Sequence, residues 1–346
     1  MRSIDFCGAL REALWQEMER DSSVFVYGIG APVSNQIFGS VKGLAERFGP
    51  ERCFDTPLSE DAMMGFGLGA AINGMRPVNV HIRADFLMLA MNQLVNMVST
   101  YSYSTRGEIK VPLVVRAVVG RGWGQGYQHS KSLHSLFAHI PGLKVVLPTS
   151  PSDAKGLLTS AIRDDNPVIF IEHRWLYWAV EDVPEDPYTI PIGEGKVVRS
   201  GNDITVVGTS WMNVEALKAS DILEKQGVSV EVVDPRTLAP FDDTVIVESV
   251  KKTGHCIVAD NDWLNCGFGA EVAARVSEKC FSQLKSPVIR IGFAPTPCPT
   301  VRCLENEFYP NAVNIVRAIE TKLNLKPIDL SGEEFYSHEL RFKGPF

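Results

Sequence analysis

Two adjacent carboxylates, Glu60 and Asp61, stand directly ahead of a glycine-rich run in the segment DTPLSEDAMMGFGLGAAINGMRP. The letters GFGLGA match the pattern G-x-G-x-x-A, and Asp85 lies twenty residues after Gly65, as in a dinucleotide-binding fingerprint. That fingerprint requires an apolar strand running straight into the first glycine, so that helix N–H groups face a pyrophosphate. The preceding residues here are TPLSEDAMM, which disfavours a nucleotide site.

The same residues also predict the start of a helix. Ser59 is a favourable N-cap, and the two acids fall in the first turn, where the helix dipole favours negative charge. The glycines then lie inside the helix, at a cost of about 1 kcal/mol each relative to alanine. Gly65 and Gly69, with Asn73 one turn on, would offer a face poor in side chains to another helix, for example one of another subunit. Taken alone, Glu60 is either a capping residue or an acid with a chemical task.

Composition narrows the class of protein. The chain has 346 residues, which suggests two domains, and a net charge of −7 with no long basic run, which argues against nucleic acid as a partner. The start of the chain lacks the apolar core of a signal peptide, and no stretch resembles a membrane span, so we expect a cytoplasmic protein. The seven cysteines form no C-x-x-C pair and predict reduced structural thiols.

Strand-like and helix-like patterns alternate in the first half of the chain. Runs such as VVRAVV are apolar on both faces, as in a parallel sheet covered by helices on both sides. The predicted strands span residues 24–28, 78–82, 111–119, 143–148 and 167–173. The predicted helices span residues 59–74, 84–103, 130–139 and 151–164.

A Pro-rich, acidic stretch, residues 181–195, predicts a linker between a first domain (1–180) and a second, smaller α/β domain (196–325). The second domain repeats the alternation and ends in a helix over residues 311–324. The last residues, 326–346, have no clear period and predict an arm on the surface or against a partner.

Several segments, in this order, resemble the beta subunit of the decarboxylating component of 2-oxoacid dehydrogenases. They are the glycine helix, RADFLMLAMNQLVN, HSLFAHIPGLKVVLPTSPSDAKGLLTSAIRDDNPVIFIEH and VEVVDPRTLAPFD. That subunit is itself similar to the pyrimidine-binding and C-terminal domains of transketolase. The resemblance runs from residue 3 to about residue 325 and implies thiamine diphosphate, bound between two chains.

The resemblance assigns roles to residues of the first domain. It implies that Glu60 hydrogen-bonds the ring nitrogen of the pyrimidine remote from its amine, so that the cofactor can form its reactive ylid. Phe86 matches the aromatic residue that stacks on the pyrimidine, and Leu58 would line the same pocket. His129, in GYQHS, matches the histidine that faces the substrate, whereas His134 and His139 are expected to be structural.

The turn SAIRDDNP resembles the family's potassium loop, in which carbonyls and oxygen side chains hold a hard cation. Without the resemblance, the same letters describe an Asp/Asn turn that closes a helix before a proline. The potassium ligands implied are Leu113, Ala161, Ile162, Asp164 and Asn166.

Thiamine enzymes hold magnesium and diphosphate through a GDG motif followed by asparagines, and no GDG occurs in this sequence. The chain therefore predicts half an active site. We expect an alpha subunit that carries the diphosphate and magnesium, in an α2β2 tetramer.

The segment around His129 departs from the family. The letters GRGWGQGYQHS add Trp123, Gln125 and Tyr127, and EHRWLYW is also unusual. A polyhydroxylated or phosphorylated substrate would be favoured if these residues contact it, and otherwise they are surface or interface residues. The candidate substrate residues are Arg121, Gln125, Tyr127, His173 and Arg174.

The sequence alone leaves three functions open, two of them enzymatic and one non-enzymatic. The first is decarboxylation of a pyruvate-like 2-oxo acid with transfer of the acyl unit to lipoamide on a lipoyl acyltransferase core. The second is a split transketolase-like enzyme that transfers a two-carbon unit to a sugar or another carbonyl acceptor. The third, a non-catalytic scaffold, has no physical need for Glu60, Phe86 and His129 together.

Overall fold

The computed structural model describes residues 2–33, 36–122 and 124–335. They form two compact units: unit 1 holds the chain up to Gly120 together with Leu136–Ile192, and unit 2 holds Arg121–Ser135 together with the chain from Gly193 on. The predicted α/β class is confirmed in both units. Within the described ranges, no helix is both long and apolar enough to cross a membrane.

Unit 1 is built on a parallel sheet. Its strands are β1 (Arg2–Asp5), β2 (Val24–Gly28), β3 (Cys53–Phe54), β4 (Arg76–His81), β5 (Val114–Val119), β6 (Lys144–Val146), β7 (Val168–His173) and β8 (Val180–Val183). The parallel order is β6-β7-β5-β4-β2-β3, and β1 pairs separately with β8 in antiparallel fashion. Every residue of β2, β5 and β7 is buried, as expected of strands covered on both faces.

The helices follow most of the predicted periodic segments. They are α1 (Phe6–Arg20), α2 (Leu44–Phe48), α3 (Glu60–Ile72), α4 (Ala84–Leu87), α5 (Tyr101–Ser104), α6 (His134–Ala138) and α7 (Pro151–Arg163). The predicted helix over 130–139 is shorter than expected, because the chain before His134 forms a loop that packs on unit 2.

The predicted helix over residues 84–103 is a series of helical pieces. A 3-10 turn (Met88–Ala90) and a π-helical segment (Gln93–Val98) lie between α4 and α5. The backbone stays right-handed helical at the joints Met88, Met91 and Ser99, so only the hydrogen-bond register changes. Ser99 donates its hydroxyl to the carbonyl of Val95 at 2.8 Å, a side-chain bond that competes with the regular helix ladder.

A charged side chain in the central strand β5 is neutralised inside the core. Arg116 is fully buried and forms two hydrogen bonds with the Glu172 carboxylate on β7, at 2.5 and 2.9 Å. Ser40 accepts from the same guanidinium, and Tyr177 donates to Glu172 at 2.6 Å. The run VVRAVV can therefore form a buried strand despite its arginine, because the charge is paired and hydrogen-bonded.

The segment predicted as a linker, residues 181–195, begins within strand β8 and belongs to unit 1 as far as Ile192. The buried Lys155 ammonium, on α7, donates to the carbonyl oxygens of Pro184, Glu185 and Asp186 at 2.6, 2.8 and 3.1 Å. It also pairs with Glu12 on α1 at 2.6 Å. One lysine thus ties the acidic stretch to two helices.

Unit 2 is a second, mainly parallel sheet with helices. Its strands are β9 (Lys196–Arg199), β10 (Ile204–Gly208), β11 (Val230–Asp234), β12 (Thr237–Ala239), β13 (Cys256–Trp263) and β14 (Ile289–Phe293). Its further helices are α8 (Trp211–Glu224), α9 (Thr244–Thr253), α10 (Phe268–Cys280), α11 (Arg302–Phe308) and α12 (Ala312–Leu323). The sheet order is β14-β13-β10-β11-β9, and only β9 runs antiparallel to its neighbour.

The first part of the C-terminal extension packs on unit 2. Ile328 donates its N–H to Glu320 on α12 at 2.6 Å, and Lys218 of α8 lies 4.7 Å from the ring centre of Phe335. Residues 336–346 lie outside the described residues. The predicted arm therefore starts as a strap along α8 and α12.

Candidate active site

Helix α3 begins at the two acids, as predicted, but the capping contact differs. Ser59 is the N-cap residue, yet its side chain caps no helix N–H. The Asp61 carboxylate instead accepts from the N–H of Ala62 at 2.8 Å and from the Ser59 hydroxyl at 3.3 Å. Asp61 therefore accepts the hydrogen bonds at the start of the helix, and Glu60 takes no part in these contacts. Only 8% of Glu60 is exposed.

The glycines of α3 serve two different faces. A Cβ on Gly67 would lie 2.1 Å from the Tyr27 hydroxyl, so this glycine lets α3 sit close against β2. A Cβ on Gly65 or Gly69 would meet nothing within 4 Å. The predicted face poor in side chains is therefore confirmed on the outer side of the helix. Because the glycines lie inside α3, they form no phosphate-binding loop, and the nucleotide interpretation is wrong.

Large apolar side chains near α3 in the sequence remain exposed. Leu58, Phe66 and Phe86 are 82%, 51% and 40% exposed. Phe66 still makes edge-to-face contacts with Tyr27 and Phe54, at ring-centre distances of 5.4 and 6.0 Å. Exposed apolar side chains mark a binding surface where they form a contiguous patch.

These features fit the pyrimidine half of thiamine diphosphate. A buried carboxyl can hydrogen-bond a ring nitrogen, and the exposed Phe86 ring offers a face for stacking. The diphosphate and magnesium would need ligands from elsewhere, because the sequence has no GDG motif.

No expectation for His81, at the carboxyl end of β4, followed from the sequence. It is buried, and its Nε2 has no hydrogen-bond partner among the described residues. Burial lowers the pKa of His81 to about 4, so the ring is neutral at pH 7. The signal was present in VNVHI, where Asn79 and His81 interrupt an apolar strand.

The loop that carries His129 belongs to unit 2, although both its neighbours in sequence belong to unit 1. Arg121 pairs with Glu305 at 2.8 Å, and the Tyr309 hydroxyl donates to the carbonyl of Ser130 at 2.9 Å. His129 itself is half-buried, and its N–H is bonded to the carbonyl of Gly126. The candidate residues Glu60 and His129 are therefore carried by different units, which the predicted domain boundary at residue 180 did not anticipate.

The other candidates on this loop have distinct surroundings. Gln125 accepts from the N–H of Gly122 at 2.9 Å, which stabilises the turn. Tyr127 is 57% exposed and lines a cavity of about 670 Å³ within unit 2. Trp123 lies outside the described residues. The remaining walls of the cavity come from Lys131, Trp263, Leu264, Asn265, Phe293, Pro295, Thr296, Pro297 and Cys298.

His134 lies in a buried cluster with Asp260 and Asp262 of β13. Its Nε2 is 3.1 and 3.2 Å from the two Asp260 oxygens and 3.8 Å from Asp262 Oδ2. Thr209 donates to Asp260 and Ser135 donates to Asp262. Although burial alone would lower it, the pKa of His134 rises to about 9 because of the two carboxylates.

His173 and Arg174 are fully buried in unit 1, so the alternative that they are surface residues is wrong. His173 Nδ1 accepts from the N–H of Trp175 at 3.3 Å, and the Arg174 guanidinium lies over the Phe38 ring at 4.9 Å. Their role toward a substrate stays a prediction.

The proposed potassium turn is occupied by the protein's own cations. The Arg76 guanidinium donates to the carbonyls of Ile162 and Asp164, both at 3.0 Å, and Lys144 pairs with the Asp164 carboxylate. Asn166 donates its side-chain amide to Asp164 at 3.0 Å, and the Leu113 carbonyl accepts from the Val168 N–H. These contacts do not favour a potassium ion at this turn, and the potassium site stays a prediction.

Two family models match the chain. The model for the transketolase pyrimidine binding domain covers residues 2–178, and the model for the transketolase C-terminal domain covers residues 193–315. The chain is also similar in fold to a solved chain described as split gene transketolase, inactive beta4 tetramer, with a TM-score of 0.74. That match has 23% identity and covers 94% of this chain and 99% of the other, and it concerns the fold alone.

Curated relatives match over nearly the whole chain. The acetoin:2,6-dichlorophenolindophenol oxidoreductase subunit beta of Cupriavidus necator is 41% identical over 90% of this chain and 94% of its own length. The 2-oxoisovalerate dehydrogenase subunit beta of Bacillus subtilis is 40% identical over 92% of this chain and 98% of its own. The pyruvate dehydrogenase E1 component subunit beta of Rickettsia bellii is 38% identical over 92% and 98%.

The chain therefore belongs to the thiamine diphosphate-dependent, transketolase-like family of E1 beta subunits that includes these acetoin, 2-oxoisovalerate and pyruvate enzymes.

Proposed function

We propose that this chain is the beta half of a two-chain enzyme that decarboxylates a pyruvate-like 2-oxo acid and passes the acyl unit to a lipoyl group. The observation that carries the proposal is Glu60, a buried carboxyl at the start of α3 that the local capping contacts do not use. Relatives that match at least nine tenths of the chain are beta subunits of 2-oxoacid and acetoin enzymes, which supports the reaction class.

Glu60 would hold and share a proton with the cofactor's pyrimidine nitrogen. Because the carboxyl is buried, water competes little for this hydrogen bond, and the interaction is stronger than at the surface. Phe86 would stack on the pyrimidine, and Leu58 would exclude water from the same pocket. When bound, thiamine diphosphate supplies the nucleophilic carbon and the electron sink for cleavage next to a carbonyl.

His129 would act at the substrate end of the site. An imidazole can orient a substrate carboxylate and can move a proton to or from it near pH 7. The backbone bond to Gly126 holds the main chain of His129 in a tight turn.

Two observations support an alpha subunit: the sequence has no GDG motif, and the outer face of α3 is open. The outer face of α3, with Gly65 and Gly69, leaves room for the backbone of another chain to approach closely. We infer an α2β2 assembly in which the alpha chain holds the diphosphate and magnesium, together with a separate lipoyl acyltransferase core.

The lining of the cavity beside Tyr127 helps to decide between a lipoyl group and a sugar as the acceptor of the acyl unit. Trp263 and Phe293, in edge-to-face contact at 5.6 Å, form part of a wall that is mostly apolar. An apolar acyl or dithiolane group suits such a wall, whereas the hydroxyls of a sugar would face mostly apolar side chains there. This favours a lipoyl acceptor over a polyhydroxylated one.

The proposal is tested by reconstitution. The chain is co-expressed with its alpha partner, supplied with thiamine diphosphate, magnesium and pyruvate or another 2-oxo acid, and assayed in parallel with lipoamide and with sugar acceptors. Acyl transfer to lipoamide supports the proposal, and transfer only to a sugar replaces it with the transketolase-like function. Bound cofactor without turnover of any 2-oxo acid or ketose would contradict both.

A further inference from the structure

The loop from Arg121 to Ser135 is held on unit 2 from both ends. At its start, the buried side chains of Arg121 and Glu305 form an ion pair with an N–O distance of 2.8 Å. At its end, His134 and Ser135 meet Asp260 and Asp262 of β13. Gly126, with a φ of +58°, approaches so closely that a Cβ there would lie 2.6 Å from the Thr300 hydroxyl. The position of His129 therefore depends on contacts made by its neighbours.

The cluster around His134 is an ion pair inside the protein. The ring is 1% exposed, and β13 presents both carboxylates to it. The other polar groups of the cluster are the hydroxyls of Thr209 and Ser135, which donate to those carboxylates and carry no charge. A ring protonated on both nitrogens gives the nearby carboxylates a positive partner, whereas a neutral ring, even with its one proton on Nε2, would leave two buried acids without a cation.

We propose that His134, as a protonated imidazole bound between Asp260 and Asp262, is the positioning residue that fixes the His129 loop on unit 2. The inference rests on the proposed function for its catalytic consequence only, because the anchoring itself concerns contacts within this chain. Only four residues separate His129 from His134, and one of them, Ser130, is bonded to Tyr309, so a shift at the anchor is transmitted over a short segment.

The anchor predicts a pH dependence with a definite sign. The folded pKa of His134, about 9, lies above the ordinary value of 6.5. The anchor's contribution to stability is therefore complete below about pH 6.5 and is lost as the pH rises through 9. Lys155, whose pKa burial lowers to about 8, titrates in the same range, so a variant is needed to isolate His134.

The test compares the assembled wild-type enzyme with His134→Gln and with the double variant His134→Gln/Asp260→Asn. The single variant leaves buried acids without a cation, whereas the double variant replaces the pair by two neutral amides that can still hydrogen-bond. His139→Gln changes an exposed histidine four residues beyond the loop, in unit 1, and is the control. Amide hydrogen exchange of residues 124–135, corrected for intrinsic rates, is followed from pH 6 to 10 together with kcat.

We expect exchange of the loop in wild type and in the control to rise about tenfold through pH 9, with kcat falling in the same range. The double variant should show neither transition near pH 9. An unchanged alkaline transition in the double variant would overturn the proposal. So would a stoichiometric metal ion that is present in wild type and absent from His134→Gln, since metal and proton compete for Nε2. If no donor supports turnover, the proposed function fails while the exchange result still decides the anchor.

Discussion

Glu60 and Asp61 are consecutive acidic residues with different structural roles. Asp61 lies outward and accepts from the Ala62 N–H, which is the ordinary role of an acid in a first helical turn. Glu60 points into a buried position. The sequence predicted the helix start and both acids in its first turn, because N-cap chemistry is local. It could not predict which acid caps the helix, because that depends on the path of the chain between Pro57 and Ser59.

Two buried histidines should act on stability with opposite signs. Burial lowers the pKa of His81 to about 4, so the unfolded chain binds more protons than the folded one between pH 4 and 6.5. Stability should therefore fall on acidification through that window. We expect the His81→Leu variant to lose less thermal stability than wild type between pH 6.5 and 4.5, measured as Tm by calorimetry. An equal loss in the two proteins would show that His81 is already charged or satisfied in the folded state.

At the scale of elements, the sequence predicted most strands correctly. It did not predict that the loop from Arg121 to Ser135 belongs to unit 2. β2, β5 and β7 are apolar on both faces, a pattern that few other structures produce. The loop from Arg121 to Ser135 carries no such pattern. Its place on unit 2 is set by single contacts to Glu305, Tyr309 and β13, which lie more than a hundred residues further along the chain. Periodicity cannot report pairings of that kind.

Two glycines of α3 provide a matched pair of variants. Gly67→Ala would place a Cβ 2.1 Å from the Tyr27 hydroxyl and 3.2 Å from Leu113, so we expect a loss of about 1–3 kcal/mol in the free energy of unfolding. Gly69→Ala meets nothing and should gain about 0.5–1 kcal/mol from helix propensity. Denaturant unfolding of the isolated chain measures both.

The same pair tests whether the outer face of α3 contacts a partner. If another chain packs on that face, Gly69→Ala should weaken assembly with the alpha subunit about tenfold while leaving the isolated chain at least as stable as wild type. Assembly is measured by sedimentation velocity over a concentration series. Equal assembly of Gly69→Ala and wild type would place the partner elsewhere.

At the scale of the whole molecule, the proposed function makes this chain one half of an active site. It carries a buried acid at Glu60 and an exposed aromatic ring at Phe86, and its sequence contains no GDG motif. Family and fold class could be predicted from motifs in order along the chain. The donor, the acceptor and the partner's contacts could not, because they depend on surfaces that meet only in the assembly.

Leu58 is the most direct probe of the surface that we propose is covered by the alpha subunit or the cofactor. At 82% exposure it contributes little to the fold of the chain, so Leu58→Ser should leave the Tm of the isolated subunit unchanged within about 2 °C. Assembly with the alpha subunit, or cofactor affinity in the assembly, should fall at least fivefold. Phe281→Ser, an equally exposed apolar position on unit 2, is the control and should change neither. Parallel losses in both variants would point to general surface effects.

Activation of thiamine diphosphate by the buried carboxyl of Glu60 is the step on which the proposed function depends. It is tested most directly by the rate of hydrogen–deuterium exchange at the cofactor's thiazolium carbon, measured by quenched-flow NMR in the assembled enzyme. Glu60→Gln is compared with wild type and with Asp61→Asn, at saturating cofactor in each case. We expect a rate about 100- to 10,000-fold lower in Glu60→Gln and nearly unchanged in Asp61→Asn. Equal exchange rates in Glu60→Gln and wild type, with cofactor bound in both, would contradict it.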